Sequence, residues 1–123
     1  MSGSDPLRVI QAAREFGLQV LDVVGKLPRR APSGLRSQLA ESAQAVGSIL
    51  AEGFGRGTTA EKIHYSRMAN GSLEESQEYL RECINLHLID RKVFYRLWNL
   101  SVVTSRMLLS LIAKLEERRD ATD

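Results

Sequence analysis

The sequence contains one cysteine, Cys83, so no intrachain disulfide can form and a reducing, cytoplasmic setting is expected. Leu80, Ile84 and Leu86 flank it, and that setting reads as a small apolar packing residue, not a reactive thiol. Histidine is almost as scarce, with only His64 and His87 in the chain. Glu61-Lys62-Ile63-His64 matches the Glu-x-x-His element of di-metal helix bundles once, and a shared metal centre needs a second copy at the same depth. Neither histidine lies in a neighbourhood that suggests a nucleophilic triad, and the Gly-Lys-Ser/Thr element of phosphate-binding loops is missing. No enzyme activity, metal or cofactor is therefore expected. No apolar run approaches a membrane span, and Met-Ser-Gly-Ser-Asp-Pro at the start lacks the basic and apolar regions of a secretory signal. Alternating apolar and polar runs are also missing, which argues against β-structure.

What remains is a chain of 123 residues, enough for one core, with a net charge of +2 drawn from 17 basic and 15 acidic residues. It reads as a single all-α domain over residues 1–123, an antiparallel up-down-up-down four-helix bundle with helices at about 6–26, 34–53, 59–86 and 91–117. Asp5-Pro6 starts the first helix, because the carboxylate can cap free amides and proline presets helical φ. Leu7, Ile10, Gly17, Leu21 and Val24 give that helix an expected apolar stripe. Pro28 and Pro32 close it. The second helix carries Leu35, Leu39, Val46, Ile49 and Leu50, with small residues at Ala40, Ala43, Ala45, Gly47 and Ala51 that allow close approach. Gly53-Phe54-Gly55-Arg56-Gly57 is the predicted break, its glycines supplying positive φ, and Thr58-Thr59-Ala60-Glu61 offers a capping box for the third helix. Asp90 is placed to cap the fourth.

On that fourth helix, Val93, Leu97, Leu100, Thr104, Met107, Leu108, Leu111 and Leu115 form the inward stripe. Phe94, Trp98, Val102, Leu109 and Ile112 widen the apolar arc past what one core needs, so they are the expected surface for self-association. Tyr95, Asn99, Arg106 and Ser110 mark where the arc turns polar. The two loops at one end of such a bundle bring Lys26, Arg29, Arg30 and Arg36 towards Arg91, Lys92 and Arg96, the expected nucleic-acid-binding residues. Solubility and the helix dipole also favour basic residues at helix ends. Glu74, Glu78 and Glu82 line one face of the third helix and read either as a solvated face or as partners for a basic one.

The run Ile49-Leu50-Ala51-Glu52-Gly53-Phe54-Gly55-Arg56, with Thr58-Thr59-Ala60-Glu61 and then Met68-Ala69-Asn70-Gly71-Ser72-Leu73-Glu74-Glu75, resembles the ribosomal-RNA intervening-sequence four-helix-bundle family. That family embraces proteins similar to the accessory variability protein of diversity-generating retroelements. The resemblance spans roughly residues 7–115. It implies a homopentameric ring without catalysis and, for the retroelement branch, binding to RNA and a reverse transcriptase. Gly47, Ile49 and Ser76 depart from the family pattern, Ser76 standing where a leucine is common. The motif residues Glu52, Gly53, Gly55, Arg56, Gly71 and Ser72 are expected to act structurally. Glu52 and Arg56 would pair at four-residue spacing, and Gly71 and Ser72 would let the second helix pass closely. A lesser alternative is that Arg56 and exposed amides meet an anion at the start of the third helix. Two functions stay open, an oligomeric adaptor that binds RNA or DNA, and a scaffold for a protein partner alone.

Overall fold

Helix starts are set by local chemistry. In the computed structural model, which describes residues 5–122, Asp5 accepts a hydrogen bond from the Leu7 amide at 3.0 Å and Pro6 opens α1, Pro6–Gly25. Helix α2, Ser33–Phe54, starts behind Pro32 with no side-chain cap. Thr58 starts α3, Thr59–Asn85, accepting from the Glu61 amide at 3.1 Å while its hydroxyl donates to the Glu61 carboxylate. Asp90 starts α4, Arg91–Thr122, accepting from the Val93 amide at 2.8 Å. Helix α4 thus runs about one turn beyond its expected end and measures about 48 Å.

The four helices pack in chain order around a square, with α4 returning to α1. Phe16, Leu39, Leu50, Leu73, Leu80, Leu97 and Leu108 are among the fully buried side chains of the single core. Cys83 is buried with them, and burial pushes its thiol up to about 11, so it packs as an apolar residue. No described helix is long and apolar enough to cross a membrane.

Three expectations are corrected here. The inward stripe of α1 is Val9, Ala13, Phe16, Val20 and Val23, whereas Leu7 is 63% exposed and Leu21 and Val24 are only half-buried. Positive φ does not end α2: none of the described glycines adopts it, Gly53 lies inside the helix, and Gly55 has φ −82°. The left-handed residue is His87, at φ 57°. It sits where α3 stops, with the Leu88 amide donating to the Cys83 carbonyl at 2.9 Å and the His87 amide to Ile84 at 3.1 Å. This double return satisfies the last carbonyls of α3 and buries Leu88 against the core. Finally, Gly71 is exposed, and a Cβ there would meet nothing within 4 Å, so no helix passes it closely. The close approaches are elsewhere. A Cβ on Gly17 would lie 3.1 Å from the Ala43 carbonyl oxygen, one on Gly47 2.9 Å from Arg14 Cγ, and one on Gly53 2.4 Å from Tyr65 Cβ. Ser72 lies half-buried on the α2–α3 seam, beside Ser42 and Ala45.

Candidate nucleic-acid interface

The α1–α2 and α3–α4 loops meet at one end of the bundle, and Arg30 ties them together. Its guanidinium donates to the Leu86 carbonyl at 3.0 Å and to the His87 carbonyl at 2.6 Å, across the left-handed turn. Arg36 makes the corresponding fork within the other loop, donating to the carbonyls of Val24 at 3.1 Å and Pro28 at 2.9 Å. Both carbonyls also accept a backbone amide, Val24 from Leu27 at 3.3 Å and Pro28 from Ala31 at 3.0 Å, so Arg36 fills their second lone pairs. Lys26 pairs with Asp22 at 3.1 Å. Two of the seven expected cations, Arg30 and Arg36, therefore hold the loops, while Lys26 is exposed and paired within its own helix.

The other four behave differently. Arg29, Arg91, Lys92 and Arg96 are exposed and have no ion pair or hydrogen bond among the described residues. A shallow hollow lies between the end of α1 and the start of α4, lined by Val23, Leu27, Leu88, Val93 and Arg96. The sequence places these cations at one end correctly but cannot tell structural from free arginines, because Arg30 finds its carbonyls 56 residues away. We expect Arg36→Ala to lower stability by about 1–3 kcal/mol, since two part-buried, charge-assisted hydrogen bonds are lost, and to leave nucleic-acid affinity nearly unchanged. Arg36→Lys recovers only part of the loss, because an ammonium cannot reproduce the planar fork. Urea unfolding of both variants checks this.

At the opposite end the motif residues form one cluster. Arg56 donates to Glu52 at 3.1 Å and to the Tyr65 hydroxyl at 2.9 Å, approaches Glu61 at 3.7 Å, and lies 5.2 Å from the Tyr65 ring centre. The hydrogen bond to Glu52 and the nearby Tyr65 push the Arg56 guanidinium further above its ordinary range. Arg56 thus joins α2 to α3 in the expected structural role, and Tyr65 is the member that sequence spacing did not nominate. Gly55 is exposed in the turn that follows.

The apolar arc of α4 divides. Ile112 is 6% exposed and belongs to the core, which corrects its assignment to the association surface. It lies on the same flank as Ser101, which accepts a hydrogen bond from Gln77 of α3 at 2.9 Å, so α3 closes that side. Phe94, Trp98 and Val102 are half-buried, and Leu109 is exposed. Trp98 is covered by Arg81, whose guanidinium carbon lies 4.7 Å from the ring centre, and Phe94 stacks on Trp98 at 5.5 Å. His64 and His87 are exposed, and among the described residues no three His, Cys, Asp or Glu side chains gather closely enough to hold a metal ion.

No curated protein matches the sequence. A crystal structure from Bacteroides thetaiotaomicron, of a protein with unknown function from the S23 ribosomal protein family, is similar with a TM-score of 0.80 and 20% identity. The match covers 85% of this chain and 97% of that one, and at this identity it speaks for the shared bundle. Residues 5–110 match the 23S rRNA-intervening sequence protein family, and with that span of its bundle accounted for, the chain belongs to this family.

Proposed function

We propose that the chain is a non-enzymatic, oligomeric adaptor that binds RNA or DNA through its basic end and acts as an accessory subunit to a nucleic-acid enzyme such as a reverse transcriptase. The observation that carries this reading is the group of four exposed, unpaired cations, Arg29, Arg91, Lys92 and Arg96, on an end whose two loops Arg30 joins. Cations already spent on carboxylates gain little from phosphate, whereas unpaired ones release the counterions of a nucleic acid on binding. The family's description, with its reference to ribosomal RNA, agrees in chemistry. The retroelement relation and the pentameric ring come from the resemblance of the AEGFGR and GSL segments. A ring would repeat the four cations around one rim and multiply weak contacts into useful avidity. Of the expected association surface, Val102 and Leu109 remain open to that assembly, whereas Phe94 and Trp98 pack beside Tyr95 and Arg81.

A second reading, an oligomeric scaffold for a protein partner without nucleic acid, has one feature in its favour. An apolar groove of about 260 Å³ runs between α1 and α2, lined by Ala13, Gly17, Leu18, Leu21 and Ala43.

A salt titration of binding to structured RNA and to DNA, with molar mass measured by light scattering in the same buffers, separates the two. The adaptor reading expects an oligomer whose affinity falls steeply with salt. Combined replacement of Arg29, Arg91, Lys92 and Arg96 by alanine then flattens the logarithmic salt slope by about 0.7–0.9 for each phosphate that is no longer neutralised. An intact oligomer that binds neither nucleic acid at low salt leaves the protein scaffold as the function.

A further inference from the structure

From Arg91 to Leu115 helix α4 carries no aspartate or glutamate, and the first acid after Asp90 is Glu116. Because α4 packs, among the described helices, on α3 and α1 alone, the side turned from both faces outward. Along its first half that side presents Arg91, Lys92, Tyr95, Arg96 and Asn99, all exposed. Tyr95 is the aromatic among them, 57% exposed, with Arg91 one turn before it and Asn99 one turn after. Its ring is not isolated. It meets Phe94 edge-on at 5.3 Å, Phe94 stacks on Trp98, and Trp98 is capped by Arg81 of α3. This ladder supports the tyrosine from below, so little side-chain freedom is lost when something lands on it.

We infer that this outer face of α4 binds single-stranded nucleic acid, with an unpaired base stacked on Tyr95 and the flanking phosphates on Arg91, Lys92 and Arg96. The inference rests on the nucleic-acid reading above and adds the form of ligand that the same end prefers. Cations alone would serve duplex and single strand alike, since both present phosphates. An exposed ring among cations adds a contact that only an unstacked base can make, and it tolerates any base because each has a π-face. A membrane surface fits the geometry less well. The exposed apolar residues of α4, Tyr95, Val103 and Leu109, are spaced singly among polar ones and do not form a continuous insertable strip.

The test measures binding of the whole chain to a labelled single-stranded RNA, to a duplex of equal charge, and to vesicles of mixed neutral and anionic lipid. Tyr95→Ala, with an unchanged melting temperature, is expected to weaken single-strand binding about 5- to 100-fold while changing duplex binding less than twofold. Tyr95→Phe is expected to keep wild-type behaviour, since the ring and not the hydroxyl is used. Equal losses on both RNAs, no loss on either, or tighter binding to the vesicles than to RNA would overturn the inference while salt-dependent RNA binding kept the adaptor reading. Absence of binding to both RNAs at low salt would overturn both.

Discussion

Gly53→Ala is expected to lower stability by about 1–3 kcal/mol, a loss visible as a drop of several degrees in the thermal midpoint. The added methyl would start 2.4 Å from Tyr65 Cβ and 3.1 Å from its Cγ. Neither atom can swing aside, because Cβ is fixed to the α3 backbone and Cγ follows it. Relief requires moving α2 away from α3, which would loosen the Arg56 contacts to Tyr65 and Glu61 at the same end. Alanine does favour helix over glycine by about 0.8–1 kcal/mol in a helix interior. Gly53, however, is the penultimate residue of α2, where that gain is smallest. Two companion variants fix the interpretation. Gly71→Ala, with open space around the new methyl in the middle of α3, is expected to raise stability by about 0.5–1 kcal/mol. Gly47→Ala should be near neutral, since the atom it meets is Arg14 Cγ on a flexible, exposed side chain. If Gly53→Ala melts with the parent protein, the close approach of α2 to Tyr65 is not a constraint on the fold.

The second large effect is expected at Ser76 on replacement by leucine. Ser76 is fully buried on the α2–α3 seam. Its hydroxyl donates to the Ser72 carbonyl at 3.0 Å, leaving a lone pair for Ser42 Oγ at 2.8 Å. The two serines therefore satisfy each other in a space sized for two hydroxymethyl groups. Ser76→Leu brings a branched side chain into that space and leaves Ser42 only its longer bond to the Leu39 carbonyl at 3.3 Å, for a loss of about 1–3 kcal/mol. Ser42→Ala should make the leucine tolerable, because it removes the colliding oxygen. The double variant is then expected to be more stable than the sum of the single losses by about 1 kcal/mol or more, read from urea unfolding. Additive losses would mean that the serines do not share one packing site.

These seams explain which parts of the molecule could be read from the chain. The caps at Asp5, Thr58 and Asp90 were legible because each side chain meets an amide two or three residues away. The phase of α1 was not, since apolar residues lie on two sides of it. Val9, Phe16 and Val20 face inward, while Leu7 and Leu18 face out, and only the neighbouring helices decide between them. Position His87 was equally hidden. Glycine is the usual left-handed stop, and the glycine-rich segment drew attention to the wrong loop, whereas the return bonds to Cys83 and Ile84 and the grip of Arg30 hold a histidine there. The basic end was legible as composition. Its division into holding arginines and free ones depends on carbonyl positions that exist only in the folded chain.

The return of α4 to α1 has a practical corollary. Four antiparallel helices bring the chain back to the side on which it began, so Asp5 and the end of α4 lie with the Arg56 cluster, as the Arg67–Glu116 pair between early α3 and late α4 attests. Arg29 and Arg91 occupy the far pole. A dye or a surface tether attached near Asp5 or on the last turns of α4 therefore stands about one bundle length, roughly 40 Å, from the cations. Tethering at either of these positions would present every molecule with the same pole outward.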